Sequence, residues 1–300
     1  MRSPFKQRRV VPGFGLSLGC TVLYLGVIVL IPLSALFFKS ARLTWPQFKA
    51  VVSSDAVMAA YTLSFEAALV AALVNLPLGL LVAWVLARYR FPGRRFLDAM
   101  IDLPFALPTA VAGITLTTIY SDSGWIGRWL DTVHFHAPWL MWRGFDGNWW
   151  PFEVQQFTAI SYTPIGVALA LVFIGLPFVV RTVQPVLQDM GLDVEEAAAS
   201  LGASRWQTLR RVVLPELRPA LLSGFALAFA RALGEYGSVV FISGNTPLQT
   251  EIAPIKVVQE LEQNHYAEAT SIAIVILMAS FFVLLTVNLL QRHYSRRGMA

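Results

Sequence analysis

Six stretches of this chain are predominantly apolar for about 20 residues or more, the length a helix needs to cross a bilayer. They cover residues 16–38, 57–87, 96–120, 164–183, 219–242 and 270–290. Backbone N–H and C=O groups find no water in hydrocarbon, so a spanning segment must satisfy them within itself, which helices do. Composition agrees. The chain is 56% hydrophobic and only 14% charged, whereas soluble domains carry about 25% charged residues. Its 300 residues would suggest two soluble domains on length alone, but the apolar runs override that count. The expected fold is an all-α integral membrane protein with six transmembrane helices. Residues 1–15 and 292–300 are its termini, and residues 16–291 hold the spans. MRSPFKQRR before the first run has the look of a signal peptide. The run is too long and lacks a clear small-residue cleavage site, so an uncleaved first span is expected.

The spans differ in character. The first is the most uniformly apolar and suits a peripheral, lipid-facing helix. The second carries Glu66, Asn75 and Pro77, so its start lies outside the membrane or lines the bundle. The third carries Asp102, Pro104 and Pro108; proline is tolerated in membrane helices when neighbours satisfy the freed carbonyls.

The basic residues orient the spans. Sixteen of the 23 Lys and Arg residues fall on one side: the N-terminus, Arg88–Arg95, Arg181–Arg218 and the C-terminus. The alternate loops hold six, and Arg231 lies within a span. By the positive-inside rule both termini and residues 193–217 face the cytoplasm. The sequence pI near 9.6 is then a topology signal, and no nucleic-acid partner is expected. Cys20 is the single cysteine and lies in an apolar run, which excludes a disulfide framework and a thiolate metal site.

Residues 193–217, DVEEAAASLGASRWQTLRRVVLPEL, form a charged segment between two apolar runs. Asp193 can cap a first helix, with Glu196 three residues later completing a capping box. Gly202 interrupts. Ser204 and Gln207 offer a second box, and Pro215 ends the second helix. Such a short helix, glycine hinge and second helix suits docking into a partner's groove. The alternative is a segment lying on the membrane through Leu201, Trp206 and Leu209. Asp193, Glu195 and Glu196 weigh against that, since anionic lipid repels them while a helix N-terminus favours them. Ala197, Ala198 and Ala199 leave a slim surface for close approach.

No catalytic constellation is present. The chain has no G-x-x-x-x-G-K-[ST] phosphate loop, no H-E-x-x-H and no G-x-S-x-G. A transport subunit rather than an enzyme is expected. His134 and His136 lack a third ligand nearby, so no metal is expected. Residues 121–161 hold six of the nine tryptophans. Tryptophan favours the membrane interface, so this loop rests on the outer surface or forms a docking face for an external partner.

Ionisable residues within spans cost several kcal/mol, roughly 2.5–3.5 on insertion scales, and so face the bundle interior. Arg231 and Glu235 are four apart on one helix face, and Asp102 sits early in the third span. Two readings stay open for them: an internal ion pair that tethers helices, or a polar lining along a transport path. The glycines beside them, Gly234 and Gly237, serve close packing or approach of the backbone to a passing ion. The run FISGNTP, with Asn245, closes the span in turn residues. The candidate path is thus Asp102, Arg231, Gly234, Glu235, Gly237 and Asn245.

The pattern Glu196-Ala197-Ala198, Gly202, Val212, Leu214 and Pro215, read as E-A-A-x3-G-x9-V-x-L-P, resembles the EAA loop of binding-protein-dependent ABC permeases. Further stretches are similar to sulfate/thiosulfate permeases of the CysT type: VVPGFGLSLG, RYRFPGRRFLDAMIDLPFALPTAVAGITL, PFVVRTVQPVL and RALGEYGSVVFISGN. The resemblance implies a six-helix, MetI-like permease in a bacterial inner membrane. It implies a sister permease of CysW type, two copies of a CysA-type ATPase, and an external sulfate- or thiosulfate-binding protein. ATP and Mg would sit on the ATPase, and this chain would hold no cofactor. Glu196, Ala197, Ala198, Gly202 and Pro215 would form the coupling helix that enters a cleft of the ATPase. The loop over residues 121–161 is longer than the resemblance leads one to expect. A permease for molybdate or tungstate has the same architecture. An ion-coupled secondary transporter would need no docking element of this kind.

Overall fold

The structure, a computed structural model, describes residues 14–131, 136–143, 149–153 and 160–297. Among these residues, five helices are long and apolar enough to cross a membrane. They are α1 (Gly15–Ser40), α3 (Asp55–Arg88), α8 (Pro164–Asp189), α10 (Arg205–Leu233) and α13 (Tyr266–Arg297). A short helix, α2 (Trp45–Val52), joins the first two.

The expected third span is broken. Residues 94–120 form three pieces: α4 (Arg94–Ile101), α5 (Leu103–Ala106) and α6 (Thr109–Tyr120). The second break has a clear cause. Leu107 adopts φ −81°, ψ 138°, the extended conformation that the residue before a proline prefers, and Pro108 then starts α6. At 12 residues, α6 is about 18 Å long, shorter than a bilayer core of about 30 Å. Five continuous helices and one broken apolar segment therefore stand where six runs were read.

A second correction concerns Pro215. It does not end a helix, because α10 runs unbroken from Arg205 to Leu233. Residues Leu209–Val213 take π-helical pairing just before it. The wider turn admits a residue that has no N–H and crowds the carbonyl four before it. The span thus begins at Arg205 rather than residue 219. It stops at Gly234, and a short α11 (Val239–Ile242) follows. After it comes α12 (Ala253–Glu262).

Helices α3, α8 and α10 make the core. Lipid is as apolar as leucine, so association in a membrane depends on close packing by small residues. Ala67, Ala68, Ala71, Ala72 and Ala83 are buried along α3. A Cβ on Gly79 would stand 2.6 Å from Val179 Cγ1, and one on Gly224 would stand 3.0 Å from Val179 Cα. Asn75 lines the bundle, buried against Gly175, whereas Glu66 faces outward. Helix α1 is peripheral as expected: of its residues only Ser40 is buried, hydrogen-bonded to Ser271 at 2.8 Å.

Helix α6 crosses the α10–α11 connection at Gly113, where a Cβ would strike the Ser238 carbonyl, and a Cβ on Gly237 would strike Thr109 Oγ1. Gly234 has room instead, since a Cβ there would meet only Ala230 O, at 4.0 Å. We expect Gly113→Val to lower the melting temperature in detergent by about 3 °C or more, because backbone cannot give way cheaply. Gly234→Ala, measured alongside it, should change it far less.

The tryptophan-rich loop adds a local element to this helical fold. After α7 (Gly127–Asp131), strands β1 (His136–Arg143) and β2 (Trp149–Glu153) pair antiparallel, with Trp142 opposite Trp150. Trp125 and Trp129 are exposed. His134 lies outside the described residues. Among the described residues no group of three metal-ligating side chains occurs.

Candidate functional site

The arginine-rich end of the bundle carries the segment that follows α8. Its first helix, α9 (Asp193–Ser200), has Leu192 at the N-cap position and no side-chain cap. The expected Asp193–Glu196 box is therefore not formed. A capping side chain needs an extended backbone at the cap, but Leu192 is already helical at φ −73°, ψ −20°, which places Asp193 inside the helix. Asp193, Glu195 and Glu196 still lie in the first turn, where the helix dipole favours negative charge.

The other end of α9 is closed firmly. Gly202 has φ +82°. Its N–H donates to Ala199 O at 2.9 Å, and Ala203 N–H donates to Ala198 O at 3.0 Å. This is a Schellman closure, which requires a left-handed residue at Gly202. The glycine is a locked turn rather than a loose hinge. Two residues on, the expected Ser204–Gln207 box is formed: Ser204 N–H donates to Gln207 Oε1 at 2.8 Å, and Gln207 N–H donates to Ser204 Oγ at 3.3 Å.

Two closed helix ends thus hold a fixed turn that projects from the bundle. Leu201 at its tip is 90% exposed, and Trp206, Glu196 and Ala197 are exposed beside it. Ala198 and Pro215 are half-buried. An open cleft of about 1130 Å³ separates this segment from the end of α3, lined by Trp84, Tyr89, Arg90, Glu195, Arg205 and Leu209 among others.

The path candidates divide into two groups. Asp102 is held by Arg181 of α8, whose Nε and Nη2 donate to its two oxygens at 2.9 and 2.7 Å. Arg181 also donates to the Asp98 carboxylate at 2.7 Å, the Asp98 carbonyl at 2.8 Å and Gln184 Oε1 at 2.8 Å. Arg181 read as a loop cation, yet it lies well inside α8 and clamps α4 and α5 to that helix.

Arg231 and Glu235 form the second group. They pair four residues apart across the end of α10. Glu235 is only 2% exposed and accepts from Ser238 N–H at 3.0 Å and Ser238 Oγ at 3.2 Å. The Arg231 side chain is 35% exposed. This pair braces one helix break and does not tether two helices, while Asp102 does tether them through Arg181. The two groups lie at different depths. Gly175 of α8 faces Ala228, and Val179 faces Gly224, so the helices run antiparallel and Arg231 is level with residue 172. Nine residues separate that level from Arg181, about 13 Å along the axis.

Gly234 and Gly237 sit in the same break as Arg231 and Glu235. Asn245 is occupied with its own turn at φ +52°, accepting from Ser243 Oγ at 2.7 Å and donating to Val240 O at 3.1 Å. The structure therefore unites Arg231, Gly234, Glu235 and Gly237 and leaves Asp102 and Asn245 apart from them. Reading the sequence missed Arg88, whose Nη2 lies 2.7 Å from Glu195 Oε1. The two residues are 107 positions apart, and no local pattern links them.

A helical membrane bundle that presents an E-A-A-x3-G turn at its basic end defines a transport permease. The chain belongs to the binding-protein-dependent transport system inner membrane component family, whose model matches residues 75–298. It is 47% identical to the sulfate transport system permease protein CysT of Escherichia coli (strain K12), over 97% of each chain. It is 46% identical to CysT of Synechocystis sp., over 91% of this chain and 87% of the relative. Among solved structures it is similar to a bacterial ABC transporter involved in the import of the acidic polysaccharide alginate. That match has a TM-score of 0.70 at 17% identity and covers 93% of this chain and 94% of the other. An inward-facing MetNI methionine ABC transporter matches with a TM-score of 0.53 at 14% identity, over 84% and 99%. The fold is that of a MetI-like ABC permease.

Proposed function

We propose that this chain is a transmembrane subunit of an ATP-driven importer of sulfate or thiosulfate. The observation that carries the reading is 47% identity over 97% of both chains to a sulfate transport permease. The partners are a second permease of CysW type, two CysA-type ATPase subunits and an external binding protein. ATP and Mg belong to the ATPase, consistent with the lack of a phosphate loop in this sequence. The complex sits in the bacterial inner membrane with both termini cytoplasmic, on the strength of the arginine bias.

The exposed turn at Glu196–Gly202 docks in the ATPase. When ATP closes the ATPase dimer, the turn moves with it. Closed at Gly202 and at Ser204, it passes displacement to α8 and α10 instead of absorbing it, and the spans change between two discrete arrangements. The break at Gly234 is the stretch of the path that meets the oxyanion. Arg231 offers positive charge there, and Glu235 keeps the attraction weak enough for release. Selectivity rests with the binding protein that delivers the ion.

Reconstitution with the candidate ATPase and binding proteins tests this. ATP hydrolysis should rise with sulfate-loaded binding protein and not with a molybdate-loaded one. The reverse response assigns the chain to a molybdate or tungstate importer. Uptake driven by an ion gradient without any ATPase points to a secondary transporter.

A further inference from the structure

Helix α9 is joined by the chain to α8 and α10 only. Helix α3, which packs against both in the core, has no short covalent route to it. Among the described residues a side-chain contact bridges the gap. Arg88 is the last residue of α3. Its side chain is 9% exposed and its Nη2 lies 2.7 Å from Oε1 of Glu195, whose side chain is 23% exposed. The same Nη2 donates to Met190 O at 3.2 Å, at the end of α8. The guanidinium stands 5.8 Å from the centre of the Trp84 ring, one turn earlier in α3. A single cation therefore grips the start of α9, the end of α8 and its own helix.

We infer that the Arg88–Glu195 pair carries displacement of the coupling turn into α3, a role that rests on the ATPase-coupled reading above. The physical reason is the cost of parting the pair. Moving α9 without α3 would leave a largely buried guanidinium without its carboxylate, a state far less favourable than the pair, so α3 follows. Arg88 and Glu195 are positioning residues; neither is assigned contact with the transported ion.

The test is uptake per ATP hydrolysed by the reconstituted complex with its ATPase and sulfate-loaded binding protein. Glu195→Gln and Arg88→Met should each lower that ratio about tenfold while ATP hydrolysis continues, within the range of coupling between sites. The double variant should be no worse than either single, as expected of one shared contact. Arg88→Lys keeps the buried charge but not the planar fork, and should lower the ratio about threefold in a complex that assembles. A merely structural anchor predicts something different: hydrolysis and uptake fall together with loss of complex, and the ratio holds. An unchanged ratio in Arg88→Lys and Glu195→Gln overturns the inference. Absence of sulfate-stimulated uptake by the wild-type complex instead overturns the functional reading itself, a result visible before any variant is made.

Discussion

Gly202→Pro leaves the protein in the membrane and lowers substrate uptake per ATP hydrolysed at least about tenfold, a loss in the range of coupling between sites. The left-handed φ of +82° at Gly202 is outside the reach of proline, whose ring holds φ near −65°. Proline also lacks the N–H that bonds Ala199 O. Both changes open the end of α9, at a cost of about 3 kcal/mol. Crowding is not involved, because a Cβ at Gly202 meets nothing within 4 Å. Gly202→Ala isolates the backbone term, worth about 1–2 kcal/mol, and should uncouple less. Membrane content by immunoblot and the ratio of uptake to hydrolysis in proteoliposomes measure both effects. Full coupling in Gly202→Pro would show that the rigidity of the turn is irrelevant to force transfer.

Removing Glu235 has the largest expected effect on stability. Glu235→Ala leaves Ser238 N–H without its acceptor and Arg231 without its counter-charge. Breaking one side of a buried pair typically costs about 3–5 kcal/mol. The lower end is expected here because only Glu235 of the pair is fully buried, the Arg231 side chain being 35% exposed. The melting temperature in detergent should fall by several degrees. Arg231→Ala should abolish uptake in a complex that still inserts and assembles. That single change also strands a carboxylate that is 2% exposed, so a cleaner companion is the double variant Arg231→Met, Glu235→Gln. It removes both charges at once, a change that buried pairs often tolerate. Loss of uptake by the assembled double variant supports contact between Arg231 and the ion. Normal uptake assigns the pair to bracing the helix break alone.

Much of this architecture was legible because local chemistry decides it. Apolar runs of about 20 residues can satisfy their backbone in lipid only as helices, and four of the five long helices follow the expected runs to within a few residues at most ends. The Ser204–Gln207 box formed because both partners lie within one turn. Asp193 was misplaced for a local reason of another kind. The cap is set by where the backbone first turns helical, and the chain leaving α8 is already helical at Leu192. Pro215 was misread because the rule that proline ends helices assumes α-helical pairing, and the π-turn at Leu209–Val213 relaxes it.

The candidate site shows the same division. The sequence by itself determined a helical membrane protein, its basic end, an ordered turn between two spans, and the polar residues those spans cannot hide in lipid. The four-residue spacing of Arg231 and Glu235 made their pairing readable, since one turn of helix brings them together. Only the tertiary structure decided which charges meet across helices: Asp102 with Arg181, and Arg88 with Glu195. Those pairs join positions 79 and 107 residues apart. The second contact depends on how α3 and α8 interlock through Gly79, Val179, Gly175 and Asn75, and close packing of that kind follows from the shapes of whole helices rather than from any local pattern of residues.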